Sequence, residues 1–133
     1  MKVVLDTNVV VSAFLTPLGN SAIILRMVLN QEVEVFTSTI ILAEYEQVLS
    51  RPKFSGKLQL PDIQRFFEIF GDISIRINSS PARIRLPDPT DLEFYSVAKA
   101  AKALLVTGNK RHYPDEEDIL SPAEFLDLYH LFL

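Results

Sequence analysis

The chain opens with Met1-Lys2-Val3-Val4-Leu5-Asp6-Thr7-Asn8, a short apolar run that stops abruptly on a carboxylate. Val3, Val4 and Leu5 lack the polar/apolar alternation of a half-exposed strand, which predicts a strand buried on both faces, as in a parallel sheet. Asp6 then lies at the carboxyl end of that strand, the edge at which open α/β sheets bind ligands. The competing interpretation is that Asp6 only caps the next turn.

The composition limits the sites that this chain can build. Its 133 residues, 48% of them hydrophobic, are expected to fold as a single domain spanning 1–133. The chain has no cysteine and two histidines, which excludes thiolate metal sites and disfavours an imidazole zinc site. A metal site would therefore consist of oxygen ligands, which suit Mg²⁺ or Mn²⁺.

The net charge and the hydropathy of the chain disfavour some classes of function. The net charge of −4 disfavours a sequence-independent nucleic-acid binder, but it leaves a metal-dependent nuclease open, because bound cations reverse the local field. No apolar run is long enough to span a bilayer, and Asp6 interrupts any signal-peptide pattern. We therefore expect a cytoplasmic protein without a membrane partner.

Strand and helix signals alternate along the chain, which predicts an α/β fold with a parallel sheet. The strand signals lie at 3–5, 33–36, 73–77, 84–86, 104–107 and 118–120. The helices are expected to start at Asn20 or Ser21, Ser38 or Thr39, Pro61, Asp91 and Ser121. The last of these starts is the best defined, with Ser121 as N-cap, Pro122 at N1 and Glu124 at N3.

Four polar residues fall at or near predicted element ends: Asp6, Glu44, Asp91 and Asn109. Neighbouring strand ends lie about 5 Å apart, so these side chains are expected to share one cleft. Such carboxylates repel one another, and a divalent cation is the usual counter-charge. Each also has an ordinary interpretation: Asp91 as a helix N-terminal acid, Glu44 as a solvent-facing acid, and 107–109 as a turn.

The ordered set resembles the PIN domain family over essentially the whole chain. The resemblance rests on Val4-Leu5-Asp6-Thr7-Asn8, Glu44, Asp91 with Ala98, Leu105-Val106-Thr107-Gly108-Asn109, and Leu120-Ser121-Pro122-Ala123-Glu124-Phe125-Leu126. It is strongest to the small single-domain PIN proteins described as toxins of toxin–antitoxin pairs, the VapC-like proteins. It implies a three-layer α/β/α sandwich with a central, mainly parallel sheet, and a metal-dependent endoribonuclease activity.

The resemblance also assigns roles to the four polar residues. Asp6, Glu44 and Asp91 match the acids that hold Mg²⁺ or Mn²⁺, and Asn109 stands where the family usually has a fourth catalytic Asp. An amide oxygen can ligate a metal, but it brings no charge. The acidic run 115–118 is a possible substitute, although a solvated loop is its ordinary interpretation.

Other residues are expected to support the site or to contact RNA. Thr7, Asn8 and Thr107 would orient waters or ligands around the metal. The candidate contacts to the RNA backbone are Arg51, Lys53, Lys57, Lys110, Arg111 and His112. Ordinary surface placement is the alternative for these basic residues, since phosphate contacts carry no motif of their own.

Competing functions are separated by particular positions. Phosphatases of the haloacid dehalogenase type carry a second Asp two residues after the first, where this chain has Asn8. Receiver domains place their Asp on a middle strand, and no Walker-type phosphate loop is present. A catalytically weak PIN-like module that binds RNA or protein stays open, favoured by Asn109 and the acidic charge.

Two partners besides RNA are expected. The resemblance implies an antitoxin protein and a homodimer. The stretches 66–70 and 128–133 carry more apolar residues than a small core needs, so the remainder would form an interface patch.

Overall fold

A computed structural model describes residues 1–131 of the chain. The helices and strands in chain order are β1 (Lys2–Leu5), α1 (Thr7–Leu15), α2 (Asn20–Leu29), β2 (Glu34–Thr37), α3 (Thr39–Leu49), α4 (Leu60–Ile73), β3 (Ile75–Arg76), α5 (Leu92–Ala101), β4 (Leu104–Val106), β5 (Ile119–Leu120) and α6 (Pro122–Leu131). Short 3₁₀ helices lie at Pro52–Phe54, Pro89–Asp91 and Lys110–His112. Phe132 and Leu133, which end the apolar stretch expected at an interface, lie outside the described residues.

The five strands form one sheet in the order β3-β2-β1-β4-β5, and every neighbouring pair is parallel. Helices flank the sheet, so the expected α/β/α sandwich is confirmed. The chain builds β2 and β3 on one side of β1 and then returns to build β4 and β5 on the other. The order reverses between β1 and β4, and their carboxyl ends flank the crevice that such a reversal creates.

The central strand is apolar because both of its faces are covered. Val3, Val4 and Leu5 are fully buried, as the unbroken apolar run predicts. Burial of each such side chain contributes about 1.5–3 kcal/mol. The alignment of Leu5 with Val106 brings Asp6 level with Thr107.

The structure contains one helix that the sequence analysis does not predict, and it lacks one predicted strand. Helix α1 follows Asp6 immediately, although its run of valines has a weak helix propensity; burial of Val9, Val10 and Ala13 outweighs that propensity. Residues 84–86, expected as a strand, form no strand and lie in an irregular loop. Leu86 is buried against the core, so tertiary packing rather than strand pairing explains its apolar character.

Within residues 1–131, no single helix is both long enough and apolar enough to cross a membrane. Helices α1 and α2 meet that test only as a pair, which is bent by 104°.

Candidate active site

Asp6 lies at the bottom of the crevice, with its side chain almost fully buried. Its Oδ1 accepts a hydrogen bond from the Thr7 N–H at 2.8 Å. Its Oδ2 accepts from the hydroxyls of Thr107 at 2.8 Å and Tyr113 at 2.9 Å. A carboxylate offers about four lone-pair positions. Three donors therefore fix Asp6 and leave one position for a cation.

The turn after β4 is tied to Asp6 and to the start of α1. The Thr107 hydroxyl donates to Asp6 and accepts the Asn109 N–H at 3.0 Å. The Gly108 N–H donates to Asn8 Oδ1 at 2.7 Å. A Cβ at position 108 would lie 3.0 Å from that oxygen, so a larger residue would require the Asn8 side chain to shift. The three residues expected to support the site, Thr7, Asn8 and Thr107, all make contacts at its base.

Glu44 reaches the cleft from α3, which starts at the Ser38 cap where Ser38 Oγ accepts the Ile41 N–H at 3.1 Å. The neighbouring Tyr45 is fully buried and donates its hydroxyl to the Leu5 carbonyl, which ties α3 to the end of β1. Glu44 Oε2 accepts the Thr7 hydroxyl. Partial burial, followed by the negative charges of Asp6 and Asp88, raises the pKa of Glu44, although the Thr7 hydrogen bond opposes that shift.

Asp91 ends the 3₁₀ helix before α5 and is 8% exposed. Burial, followed by the charge of Asp6, raises the pKa of Asp91 to about 6. The Nδ1 of His112 lies 3.1 Å from Asp91 Oδ2 and favours the ionised form. Asp88 has the opposite shift, because the Thr90 N–H at 3.0 Å and hydroxyl at 2.8 Å lower the pKa of its carboxyl.

These segments enclose a cleft of about 770 Å³. The residues expected at the site that line it are Asp6, Thr7, Asn8, Glu44, Arg51, Lys53, Asp91, Asn109 and His112. Lys110, Arg111 and Lys57 are not part of its lining; Lys110 instead forms an ion pair with Glu124 at 2.9 Å. The acidic run 115–118 also lies elsewhere, with Glu116 and Asp118 paired to Lys99.

The donor set fits a hard divalent cation, because the cleft offers four carboxylates and three amides as oxygen donors, against one imidazole. Among the Asp, Glu and His side chains of residues 1–131, one group has its ligand atoms within 4.8 Å of one another. This group consists of Asp88, Asp91 and His112. The expected trio of Asp6, Glu44 and Asp91 lines the same cleft at a wider spacing. Burial is the first cause of the raised pKa of Glu44 and of Asp91, and the charge of Asp6 raises both further, so these carboxylates repel one another when no cation is bound.

Three contacts at the site are absent from the sequence interpretation: Tyr113 on Asp6, Tyr45 on Leu5, and Asp88 beside Asp91. The sequence analysis also does not predict the contact between His112 and Asp91, and the expected contact of His112 with RNA stays a prediction. The one available signal was the position of Asp88, three residues before Asp91 and directly before Pro89. Tyr45 and Tyr113 look like ordinary core aromatics in the sequence, and only the three-dimensional contacts distinguish them.

Comparisons with known proteins identify the family and support the fold. The family model described as PIN domain matches residues 2–111. The uncharacterized protein MJ1680 of Methanocaldococcus jannaschii is 30% identical, with the match covering 100% of this chain and 94% of that protein.

Among solved structures, a chain of VapBC2 from Rickettsia felis, crystallised with a DNA fragment from the promoter, superposes with a TM-score of 0.59. That chain is 24% identical, and the match covers 91% of this chain and 98% of the other, which supports the fold. The chain described here therefore belongs to the PIN domain family, whose members are generally nucleases.

Proposed function

We propose that the protein is a metal-dependent endoribonuclease that hydrolyses RNA phosphodiester bonds with Mg²⁺ or Mn²⁺. The observation that carries this proposal is the convergence of Asp6, Glu44 and Asp91 from three separate segments on one cleft at the strand-order reversal. Like charges brought together without a function would only cost stability. Membership of a family of nucleases gives the cluster its chemical class.

In this proposal Asp6, Glu44 and Asp91 hold the cation, and the Asn109 amide oxygen adds a neutral donor. When bound, the cation lowers the pKa of a water molecule and stabilises negative charge on the phosphate. Thr107 and Tyr113 hold the Asp6 carboxylate in position through their hydroxyls. Thr7 orients Glu44 in the same way.

RNA would enter along the basic side of the cleft. Arg51 and Lys53 lie in its wall and are exposed, so they can contact phosphates on either side of the scissile bond. His112 belongs to the acidic end, because its ring already contacts Asp91. Lys110 and Arg111 lie outside the cleft and would meet only a longer RNA.

We also propose that the protein is the toxin of a toxin–antitoxin pair and acts in the cytoplasm on cellular RNA. The fold is shared with a chain of VapBC2, which supports an antitoxin protein as the partner. Co-expression with the product of an adjacent reading frame would test the pairing: a stable complex that blocks cleavage is expected, and independent behaviour of the two proteins would contradict it.

One observation favours a second candidate function, a catalytically weak module that binds RNA. Asn109 replaces a carboxylate in the cleft, and His112 supplies a positive partner to Asp91 when it is protonated. Both features reduce the negative charge available to a cation.

Incubation of a mixed RNA pool with the purified protein in Mg²⁺, Mn²⁺ or EDTA tests the proposal. We expect cleavage that EDTA abolishes, and a loss of about a hundredfold in rate in Asp91→Asn and Glu44→Gln, a magnitude at the upper end for disturbed metal sites. Asp127→Asn, an exposed acid on α6, is the matched control and should cleave normally. A folded wild-type protein that binds the RNA but leaves it intact in every metal would contradict the enzyme and support the binding module.

A further inference from the structure

A second depression opens beside the cleft, and its chemistry differs from that of the cleft. This side groove, of about 500 Å³, has apolar walls formed mainly by Ile40, Ala43, Pro81, Pro89 and Leu92. Its walls contain no Lys or Arg among the described residues. A neutral, flat, apolar group fits such a lining, whereas a phosphate does not.

The side groove is continuous with the candidate active site. Glu44, Gln47 and Thr90 line both depressions. On α3, Ile40, Glu44 and Gln47 follow one another at helical spacing, so one ridge of that helix runs from the groove into the cleft. Arg51 and Lys53 lie beyond the far end of the same ridge. An RNA strand lying along α3 would therefore meet the basic Arg51 and Lys53 first, then the carboxylates of the cleft, and finally the apolar side groove.

The groove is built by specific contacts of the irregular segment that precedes α5. Ser96 is buried on α5, and its Oγ accepts the Ala82 N–H at 2.8 Å, which holds the neighbouring Pro81 in the wall. Ile40 is 62% exposed at the mouth of the groove, although its neighbour Ile41 is fully buried. The exposed side chain of Ile40 therefore adds to the apolar lining of the groove at its mouth.

We propose that the side groove receives the base next to the scissile phosphate and selects bases that carry an exocyclic amino group. This inference rests on the proposed ribonuclease function. The apolar walls would contact the two faces of the base, as in pockets for unstacked bases. Glu93 lies in the lining, and a carboxylate accepts from an amino group but not from the carbonyl edge of uracil. Cytosine, adenine and guanine each offer this amino group. Uracil offers only its N3–H, which lies between two carbonyl oxygens that repel the carboxylate, so uracil binds less well.

Sequencing of the fragments from a randomised RNA tests this inference with three variants. In the wild type we expect uracil to be depleted about tenfold at one position flanking the cut. Ala43→Phe fills the groove from an exposed helical position, and it should flatten that preference and lower kcat/KM. Glu93→Gln supplies a donor as well as an acceptor, and it should restore cleavage at uracil. Ala100→Phe, on an exposed position of α5 outside the groove, is the control and should keep the wild-type profile.

The outcomes separate the two proposals. If the wild type cleaves without base preference, or if Ala43→Phe keeps the wild-type preference, the groove does not hold a base although the ribonuclease stands. If Glu93→Gln still rejects uracil, the assignment of Glu93 is wrong. If the folded wild type cleaves no RNA, the ribonuclease proposal fails first, and the base groove fails with it.

Discussion

Asn109 is the residue at which this chain departs from the family pattern. It lines the cleft, and its backbone N–H donates to the Thr107 hydroxyl, which also contacts Asp6. We expect Asn109→Asp to raise the Mn²⁺ affinity about tenfold, because affinity grows with the number of charged ligands. Calorimetric titration measures this directly, with Asn30→Asp at the end of α2 as a control for net charge. Equal or weaker binding in Asn109→Asp would place the side chain outside the metal site.

Asp91 makes the stability of the metal-free protein depend on pH. Its pKa rises from the usual 3.8 to about 6 on folding, so the folded state holds the proton more tightly than the unfolded state. Between pH 3.8 and about 6, the contribution of Asp91 to the free energy of unfolding therefore falls as the pH rises. Glu44 acts in the same direction.

Asp91→Asn removes the contribution of Asp91 to the pH dependence. Comparison of the variant with the wild type separates that contribution from those of acids whose pKa is lowered, such as Asp88 and Glu116. In EDTA, we expect the variant to gain stability relative to the wild type as the pH rises from about 4 to about 7. Urea unfolding at several pH values measures the difference. A variant that loses relative stability over that range would show that Asp91 is stabilised, not destabilised, by its surroundings.

The position of Asp6 could be predicted from the sequence alone, because an apolar run that ends on an acid locates the strand edge. The contacts of Asp6 could not, since Thr107 and Tyr113 are about a hundred residues away along the chain. The places of Glu44 and Asp91 at or near predicted element ends made them candidates, and the family resemblance gave them the role of metal ligands. The RNA contact expected of Lys110 stays a prediction, and its ion pair with Glu124 could be recognised only in three dimensions.

At the scale of elements, the Tyr45 hydroxyl near the centre of α3 ties this helix to the end of β1. The Tyr45 hydroxyl satisfies the buried Leu5 carbonyl and holds Glu44 toward Asp6. We expect Tyr45→Phe to cost about 1–2 kcal/mol in the free energy of unfolding, because the carbonyl is left buried and unpaired. It should also weaken Mn²⁺ binding. Tyr95→Phe, which removes a hydroxyl bonded to Glu116 nearer the surface, is the control and should leave Mn²⁺ binding unchanged. Unaltered stability and metal affinity in Tyr45→Phe would contradict this role.

Most helices and strands follow from the sequence pattern, and helix α1 is the main exception. The pattern located β1, α3, α5 and the capping box of α6, in which the Ser121 and Glu124 side chains each accept the other's backbone N–H. Helix α1 escaped prediction because packing against the sheet outweighs its valine-rich composition. Residues 84–86 were mistaken for a strand because a buried loop residue and a strand residue have the same apolar character.

At the scale of the whole molecule, the homodimer and the single-domain organisation stay predictions. Phe66 and Phe70 of α4 are buried in the core, so they add nothing to an interface. The apolar surface that α4 leaves open consists of Leu60, Ile63 and Phe67, which line a groove against the end of α3. Leu60 is 64% exposed, so its side chain is available to an interface.

We expect light scattering at micromolar concentration to give a dimer mass for the wild type. Leu60→Arg should shift the mass to that of a monomer, because it places a charge in the centre of the patch. Leu18→Arg is the control, since Leu18 is 92% exposed in the turn between α1 and α2. A monomer mass for the wild type would contradict the dimer, and a dimer mass for Leu60→Arg would move the interface away from α4.

The central claim is that Asp6, Glu44 and Asp91 together hold a divalent cation. The most direct measurement is an anomalous difference map from crystals of the protein grown or soaked with Mn²⁺. We predict a peak within coordination distance of all three carboxylates, with Glu44 and Asp91 drawn toward Asp6. No peak in the cleft, or a peak held by Asp88, Asp91 and His112 without contact to Asp6, would contradict the claim.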